Sequence, residues 1–337
     1  MFNKLCCPNC KSEKCSPFKN YSTINNGARE LYICNNCMQT FSETKGTFLE
    51  GIRKSVSFIV TVLKARSNGL GFNATCECFG IAKNTLYNWE RKFSSIKQSL
   101  FLYAILHNFL SQIIEGDELY TKVGKNVPVE DCQGWTIVLM ERASRFIWAL
   151  ECGKKDKYLF IHALKLLKYV IERTKDLTLV TDGERRYGSI LFEICCEVTK
   201  SKNPKRLLKV LRQGLKVRLK NKGDRSRKKN GSRQKYEAPQ PEHPNTIQNL
   251  PDSEIHANHV EALNASIRRK NSAFRRKTNT YAKNQTALQR TLDIYWIVHN
   301  FIQEHFTTQQ VPAVALGIIK EGFSWEQIFK LRKNFAM

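Results

Sequence analysis

Ile113-Ile114-Glu115-Gly116-Asp117-Glu118-Leu119-Tyr120 is an apolar run with acids set inside it. It reads as a strand of a packed sheet, and an acid in that setting is costly unless it is paired or bound to a metal. The stretch is therefore a strand that carries a site. Trp135–Glu141 and residues 145–152 read as a hairpin joined by a short polar turn. Residues 157–173 place Phe160, Ala163, Leu164, Leu167, Val170 and Ile171 at helical spacing. Residues 177–181 form a short buried strand that runs into Asp182-Gly183, and residues 187–196 are helical. Two helices close the segment, at 256–270 and 284–304. The order strand, hairpin, helix, strand, helix, insertion, helices is an α/β order with one mixed sheet flanked by helices.

Two cysteine pairs stand near the start of the chain. Cys7-Pro8-Asn9-Cys10 and Cys34-Asn35-Asn36-Cys37 are CxxC knuckles separated by 23 residues. Each knuckle offers two thiolates from one tight turn, and two knuckles complete the tetrahedral set of a structural Zn²⁺. Phe18, Tyr21, Tyr32 and Phe41 supply a small core, and a unit of ~40 residues needs such a staple. The alternative is a set of free or redox-active thiols. Cys6 could replace Cys7 by a one-residue slip, and Cys15 is spare. Cys76, Cys78, Cys132, Cys152, Cys195 and Cys196 have no ligand spacing and read as buried small hydrophobes.

Residues 72–93 read FNATCECFGIAKNTLYNWERKF. A short helix, a tight turn at Gly80-Ile81-Ala82 and a second helix from Asn84 make a helix-turn-helix, with Cys76, Leu86 and Trp89 facing inward. The second helix opens on Lys83, Asn84, Thr85 and Asn88 and carries Arg91. Such a helix suits the major groove of DNA, and an ordinary helical hairpin is the plain alternative.

The 337 residues carry 55 Lys+Arg against 30 Asp+Glu, a net charge of +25. That charge fits a polyanionic partner better than a small-molecule substrate. A hydrophobic content of 42% excludes a wholly disordered chain. The longest apolar runs, such as residues 58–63, fall far short of the ~20 residues of a membrane span. The opening MFNKLCCPNC has no signal-peptide core. The chain reads as soluble and cytoplasmic with no membrane partner, so its cysteines are thiols or metal ligands before disulfides. Residues 200–235 hold 16 basic residues and one acidic, more than half of the surplus. The first half of that stretch is Leu/Val-rich and able to order, while the second is rich in Gly, Ser, Lys and Arg. Contact with a phosphate backbone is its functional reading and a solvated loop the bland one.

Three acids from three elements suit divalent metal chemistry. Asp117 lies in the first strand and Asp182 at the end of a buried one, where α/β sheets place their sites. Glu261 lies in His259-Val260-Glu261-Ala262-Leu263-Asn264-Ala265-Ser266-Ile267-Arg268. There Glu261, Asn264 and Arg268 share one helix face beside an apolar stripe. Two Asp and one Glu can hold the paired Mg²⁺ or Mn²⁺ ions of phosphodiester cleavage. Glu115, Glu118, Glu184 and Glu254 compete for the same role, and a solvated or ion-paired acid is the plain reading of each.

These blocks together resemble bacterial transposases of the "insertion sequence one" family. Gly116-Asp117-Glu118-Leu119-Tyr120 with Val123-Gly124 and Trp135 is similar to that family's first-Asp block, and residues 181–187 to its second. His259-Val260-Glu261-Ala262-Leu263-Asn264 and the basic residues 275–283 are similar to its Glu block and tail. Ala262 stands where many members carry Arg. The resemblance covers almost the whole chain and implies an α/β RNase H-like catalytic core of DDE type. A zinc ribbon and an all-α helix-turn-helix precede that core. It implies Asp117, Asp182 and Glu261 as the catalytic, Mg²⁺-binding triad, with structural Zn²⁺ on Cys7, Cys10, Cys34 and Cys37. Double-stranded DNA is the implied partner, both element ends and target, bound by a homodimer or larger synaptic assembly close to the nucleoid. His259, Asn264, Arg268, Arg276 and Lys277 are the site-adjacent candidates for gripping DNA. The expected division is a zinc ribbon at 1–46, a helix-turn-helix at 50–95 and a linker at 96–112. The core follows at 113–305, with a basic insertion at 200–255 and a tail at 306–337. A zinc-ribbon DNA-binding regulator without catalysis and a structure-specific nuclease on the same core are the competing functions.

Overall fold

The computed structural model describes residues 5–107, 113–124, 126–174, 176–182, 184–200, 207–211, 216–221, 256–275 and 279–332. Its first unit is an antiparallel meander of β1 (Cys15–Thr23), β2 (Gly27–Cys34) and β3 (Thr40–Ser42). Lys11 and Met38, each one residue past a CxxC pair, take left-handed backbone conformations (φ 63° and 58°). Non-glycine residues adopt that region reluctantly, so the two knuckles are bent in the same way at a cost.

Four helices follow: α1 (Val56–Ser67), α2 (Phe72–Cys78), α3 (Lys83–Ser94) and α4 (Ile96–His107). Ser55 caps α1 by accepting the Phe58 N–H. Gly80, at φ +59°, makes the turn between α2 and α3, a conformation a side chain would strain. Residues 96–112 were expected to be a linker. Its described part is α4, with Ile96, Leu100, Ala104 and Ile105 buried in the core.

The larger sheet has the order β10-β7-β4-β5-β6. β4 (Ile113–Tyr120), β5 (Trp135–Glu141) and β6 (Ile147–Gly153) form an antiparallel meander. α5 (Lys157–Lys165) and α6 (Leu167–Thr174) lead to β7 (Asp176–Thr181), which pairs parallel to β4. α7 (Arg185–Cys195) and a small ladder of β8 (Cys196–Lys200) with β9 (Leu207–Leu211) lead to β10 (Lys216–Asn221), parallel to β7. The basic stretch therefore contributes a fifth core strand. Most of the expected 200–255 insertion lies outside the described residues.

α8 (Asn258–Lys270) packs on β4, and α9 (Gln285–Ile297) covers β6 and continues into a π-turn at Val298–Ile302. β6 is an edge strand, and α9 supplies partners for its open edge. Gln285 donates to the Cys152 carbonyl at 2.8 Å, and Gln289 binds Cys152 N–H at 2.8 Å and the Leu150 carbonyl at 2.9 Å. Asn300 grips both backbone groups of Ile147 at 2.9 Å.

Residues 306–337 were expected to be a tail. As far as Arg332 they instead include α10 (Pro312–Ala315) and α11 (Trp325–Lys330), which pack back on the helical region. Trp325 stacks on Phe93 at 5.2 Å and Phe329 on Phe48 at 4.3 Å, so one core runs from Phe48 to Leu331. Glu90 of α3, 1% exposed, ties this core together: Arg66 of α1 approaches at 2.7 Å and Arg290 of α9 at 3.3 Å. Glu90→Ala leaves two buried guanidinium groups without their carboxylate. It is expected to lower stability by ~3–5 kcal/mol in urea unfolding, where a solvated surface acid would move it by less than ~1 kcal/mol.

Candidate functional site

β4 and β7 run parallel in the register Ile113↔Thr178, Ile114↔Leu179, Glu115↔Val180. Two residues further on lie Asp117 of β4 and Asp182, the residue that follows β7, and neighbouring strands are ~4.8 Å apart in any sheet. Asp117, Glu118 and Asp182 accordingly bring one carboxylate oxygen each within 4.8 Å of one another. Gly116 allows this crowding, since a Cβ there would meet Leu139 at 3.1 Å and Thr181 at 3.2 Å.

The structure thus unites two of the expected acids and adds Glu118. It leaves Glu261 outside this group, half-buried on α8. Glu118 was one of several competing acids, and its own position explains it. The β4–β7 pairing stops at Glu115↔Val180, and beyond it side chains from both faces of β4 can reach the same edge, so Asp117 and Glu118 converge although their side chains leave opposite faces. Burial, with the negative charge of Asp182 beside it, pushes the Glu118 carboxyl up to about 7. Its Oε1 is buried with no hydrogen-bond partner. The donors are all hard oxygens, so the group can hold a divalent cation such as Mg²⁺.

α8 reaches this site through two contacts in step. Glu115 Oε2 accepts the Val260 N–H at 2.9 Å, and Asn264 Nδ2 donates to Asp117 Oδ2 at 2.7 Å. Two strand residues advance ~6.6 Å and four helix residues ~6 Å, so β4 and α8 share a register. Asn264 was expected to grip DNA. At 2% exposed it orients Asp117 instead. Glu115, His256 and His259 also cluster within 4.8 Å. Arg142 reaches Glu115 Oε1 at 2.7 Å and the His256 carbonyl at 2.7 Å. The Glu115 carboxylate is thus committed, and the cluster clamps the start of α8, whose N-cap Ala257 offers no side chain. Burial holds His259 below the usual imidazole value.

The Cys7, Cys10, Cys34 and Cys37 thiols also lie within 4.8 Å of one another. Sulfur–sulfur distances of 3.5 Å for Cys7–Cys37 and Cys10–Cys34 approach the ~3.8 Å edge of a tetrahedron with 2.3 Å bonds. The site can hold a zinc ion, with Cys7 rather than Cys6 as ligand. Burial raises the Cys34 thiol, but N–H groups of Cys37 and Asn36 outweigh it and hold it at about 6. Of the six cysteines expected to be buried, Cys132, Cys152 and Cys195 are, whereas Cys76 and Cys196 are only half-buried and Cys78 is exposed on α2.

On α3, Lys83, Asn84, Asn88 and Arg91 are exposed and Thr85 is half-buried, while Leu86, Trp89 and Phe93 turn inward. Arg268 is half-buried on α8, and Arg276 and Lys277 lie outside the described residues. No helix among the described residues is long and apolar enough to cross a membrane.

The Glu118 value gives a pH test. The folded chain keeps a proton that the unfolded chain loses near 4.5, so Glu118 lowers the stability of the metal-free protein as pH rises from about 4.5 to 7. A divalent cation must displace that proton. Mn²⁺ affinity is expected to rise about tenfold per pH unit up to 7 and then level off. In Glu118→Gln the slope should disappear, as read by calorimetric titration of the zinc-loaded protein. No protein-family model matches the chain, and no curated protein matches it in sequence.

Proposed function

We propose that this chain is a DDE transposase that binds the terminal inverted repeats of an insertion sequence. It cleaves and joins DNA strands in a Mg²⁺-dependent manner. The observation that carries this reading is the convergence of Asp117 and Glu118 of β4 with Asp182, which directly follows the parallel strand β7. The mixed sheet supports an RNase H-like core: β5 runs opposite to the other four described strands, and Gly116 faces Tyr187 of α7 while Glu115 and Asp117 bond to α8 on the other face. The exposed polar face of α3 and the Cys₄ unit support a sequence-reading, zinc-stabilised helix-turn-helix region. The net charge of +25 supports DNA as the partner, and with it a location at the nucleoid.

In this reading Asp117 and Asp182 hold the cations and Glu118 joins them once deprotonated. Asn264 fixes the Asp117 carboxylate, and Glu261, one turn before Asn264 and outside the preformed group, remains the third acid of the expected triad. Paired divalent ions supply activation of the attacking oxygen and stabilisation of the leaving one. Water and then the freed 3′-hydroxyl are the nucleophiles, so no side-chain nucleophile is required. Cutting two ends in concert calls for at least a dimer.

The test is incubation of the zinc-loaded chain with duplex DNA carrying the element's own ends, with and without Mg²⁺. Cutting at the ends followed by joining to a target supports the proposal. End-specific binding with no cutting under any divalent cation would make the chain a DNA-binding regulator. Cutting of branched DNA without joining would make it a nuclease.

A further inference from the structure

Lys155 lies in the turn between β6 and α5, immediately before the capping residue Asp156. Its Nζ is 3.4 Å from Glu118 Oε2 and 3.8 Å from Glu184 Oε2, and sits 4.5 Å over the Trp135 ring. Its backbone is fixed, because its carbonyl accepts Arg186 Nη1 at 2.8 Å. Arg186 is itself committed to both oxygens of Glu184, at 2.9 and 2.8 Å. The Lys155 side chain is about one quarter exposed, so its ammonium can exchange partners without unpacking the core.

Three carboxylates within 4.8 Å repel one another, and a nearby cation lowers that cost. Lys155 is such a cation, and it occupies Glu118 Oε2, the oxygen other than the buried, unpartnered Oε1. A divalent ion drawn to Glu118 competes for the same charge and repels the ammonium. Glu184 and the face of Trp135 remain as alternative seats. Trp135 and the partly exposed Tyr120 lie 4.9 Å apart at this rim. A mobile ammonium beside aromatic faces is suited to a phosphate on a nucleic-acid strand.

We propose that Lys155 is a place-holding cation: it balances the Glu118 carboxylate whenever that group is ionised and no divalent ion is bound, and is then handed to a phosphate of the DNA strand. The proposal rests on the metal-dependent DNA reading above and names the residue that couples metal binding to strand binding. Lys155 competes with metal and cooperates with DNA, a pair of opposite effects that a purely structural lysine does not produce.

The experiment titrates Mn²⁺ into the zinc-loaded full chain without DNA, for wild type, Lys155→Met, Lys155→Arg and Asp182→Asn. Lys155→Met is expected to bind Mn²⁺ about tenfold more tightly than wild type, and Lys155→Arg, which keeps the charge, close to wild type. Duplex binding is then measured with and without Ca²⁺. Wild type should gain DNA affinity with the cation, and Lys155→Met should lose that gain, with a salt dependence smaller by about one phosphate contact. Unchanged or weaker Mn²⁺ binding in Lys155→Met, or an unchanged gain in DNA affinity, overturns the proposal while leaving the metal site intact. Wild-type Mn²⁺ binding that is absent, or that survives Asp182→Asn, overturns the metal reading itself and the proposal with it.

Discussion

Cys34→Ser, or removal of zinc by a strong chelator, is expected to unfold the N-terminal ribbon while the larger core stays folded. The ribbon has its own small cluster of buried residues, Cys7, Cys34 and Phe41, separate from the core that begins at Phe48. Three buried side chains cannot offset the ordering entropy of some 40 residues, at ~1–2 kcal/mol each for the backbone alone. Zinc binding worth ~10–16 kcal/mol can supply what is missing. Among the described residues, attachment to the rest of the chain is mainly by hydrogen bonds. Asn25 donates to the Arg53 carbonyl at 2.6 Å, Asn26 to the Lys54 carbonyl at 3.2 Å, and Arg332 to the Cys6 carbonyl at 3.2 Å. These contacts dock a folded ribbon and do not fold it. Limited proteolysis with metal analysis checks the prediction: one zinc per chain, and cleavage before Phe48 once it is removed. A ribbon that stays protease-resistant without metal would refute it.

The second large effect concerns the acids. Asp117→Asn and Asp182→Asn are each expected to lower Mg²⁺-dependent strand cleavage by at least ~10³-fold, or ~4 kcal/mol of barrier, with DNA binding retained. Glu118 and Glu261 should separate by assay. Glu118 belongs to the preformed group, so Glu118→Gln weakens metal binding in the absence of DNA. Glu261 stands outside that group, so Glu261→Gln leaves this binding near wild type and lowers cleavage. Asn264→Ala removes the amide that holds Asp117 at 2.7 Å, and is expected to cost ~10–100-fold in metal affinity or activity. Asn264→Asp places a like charge against Asp117 and should be worse.

Much of this was legible in the residues. The knuckles declare themselves because metal geometry fixes their spacing. The strands at Ile113–Tyr120 and Trp135–Glu141 match because their apolar runs end in turn residues. α4 was hidden because Ile96–His107 is apolar on nearly every side, as suits a helix wrapped by protein, and so shows no amphipathic period. α10 and α11 are four and six residues long, too short for any period to emerge. Basic charge masked β10, although apolar Leu215, Val217 and Leu219 alternate with Lys216, Arg218 and Lys220. Glu118 and Lys155 depend on which strands become neighbours, and local sequence does not encode that. Asn264 was placed on a face that looks toward the acids, and the partner its amide meets in the fold is Asp117.

DNA cleavage by this chain is proposed to depend on the carboxylates of Asp117, Glu118 and Asp182. The most direct measurement compares wild type with Asp182→Asn on end-bearing duplex DNA in Mg²⁺, after both are matched for zinc content and DNA affinity. Wild type is expected to cleave the ends and transfer the strands, and the variant to do neither. Equal cleavage by the two proteins, or cleavage by wild type that persists after all divalent cations other than the ribbon zinc are removed, would contradict it.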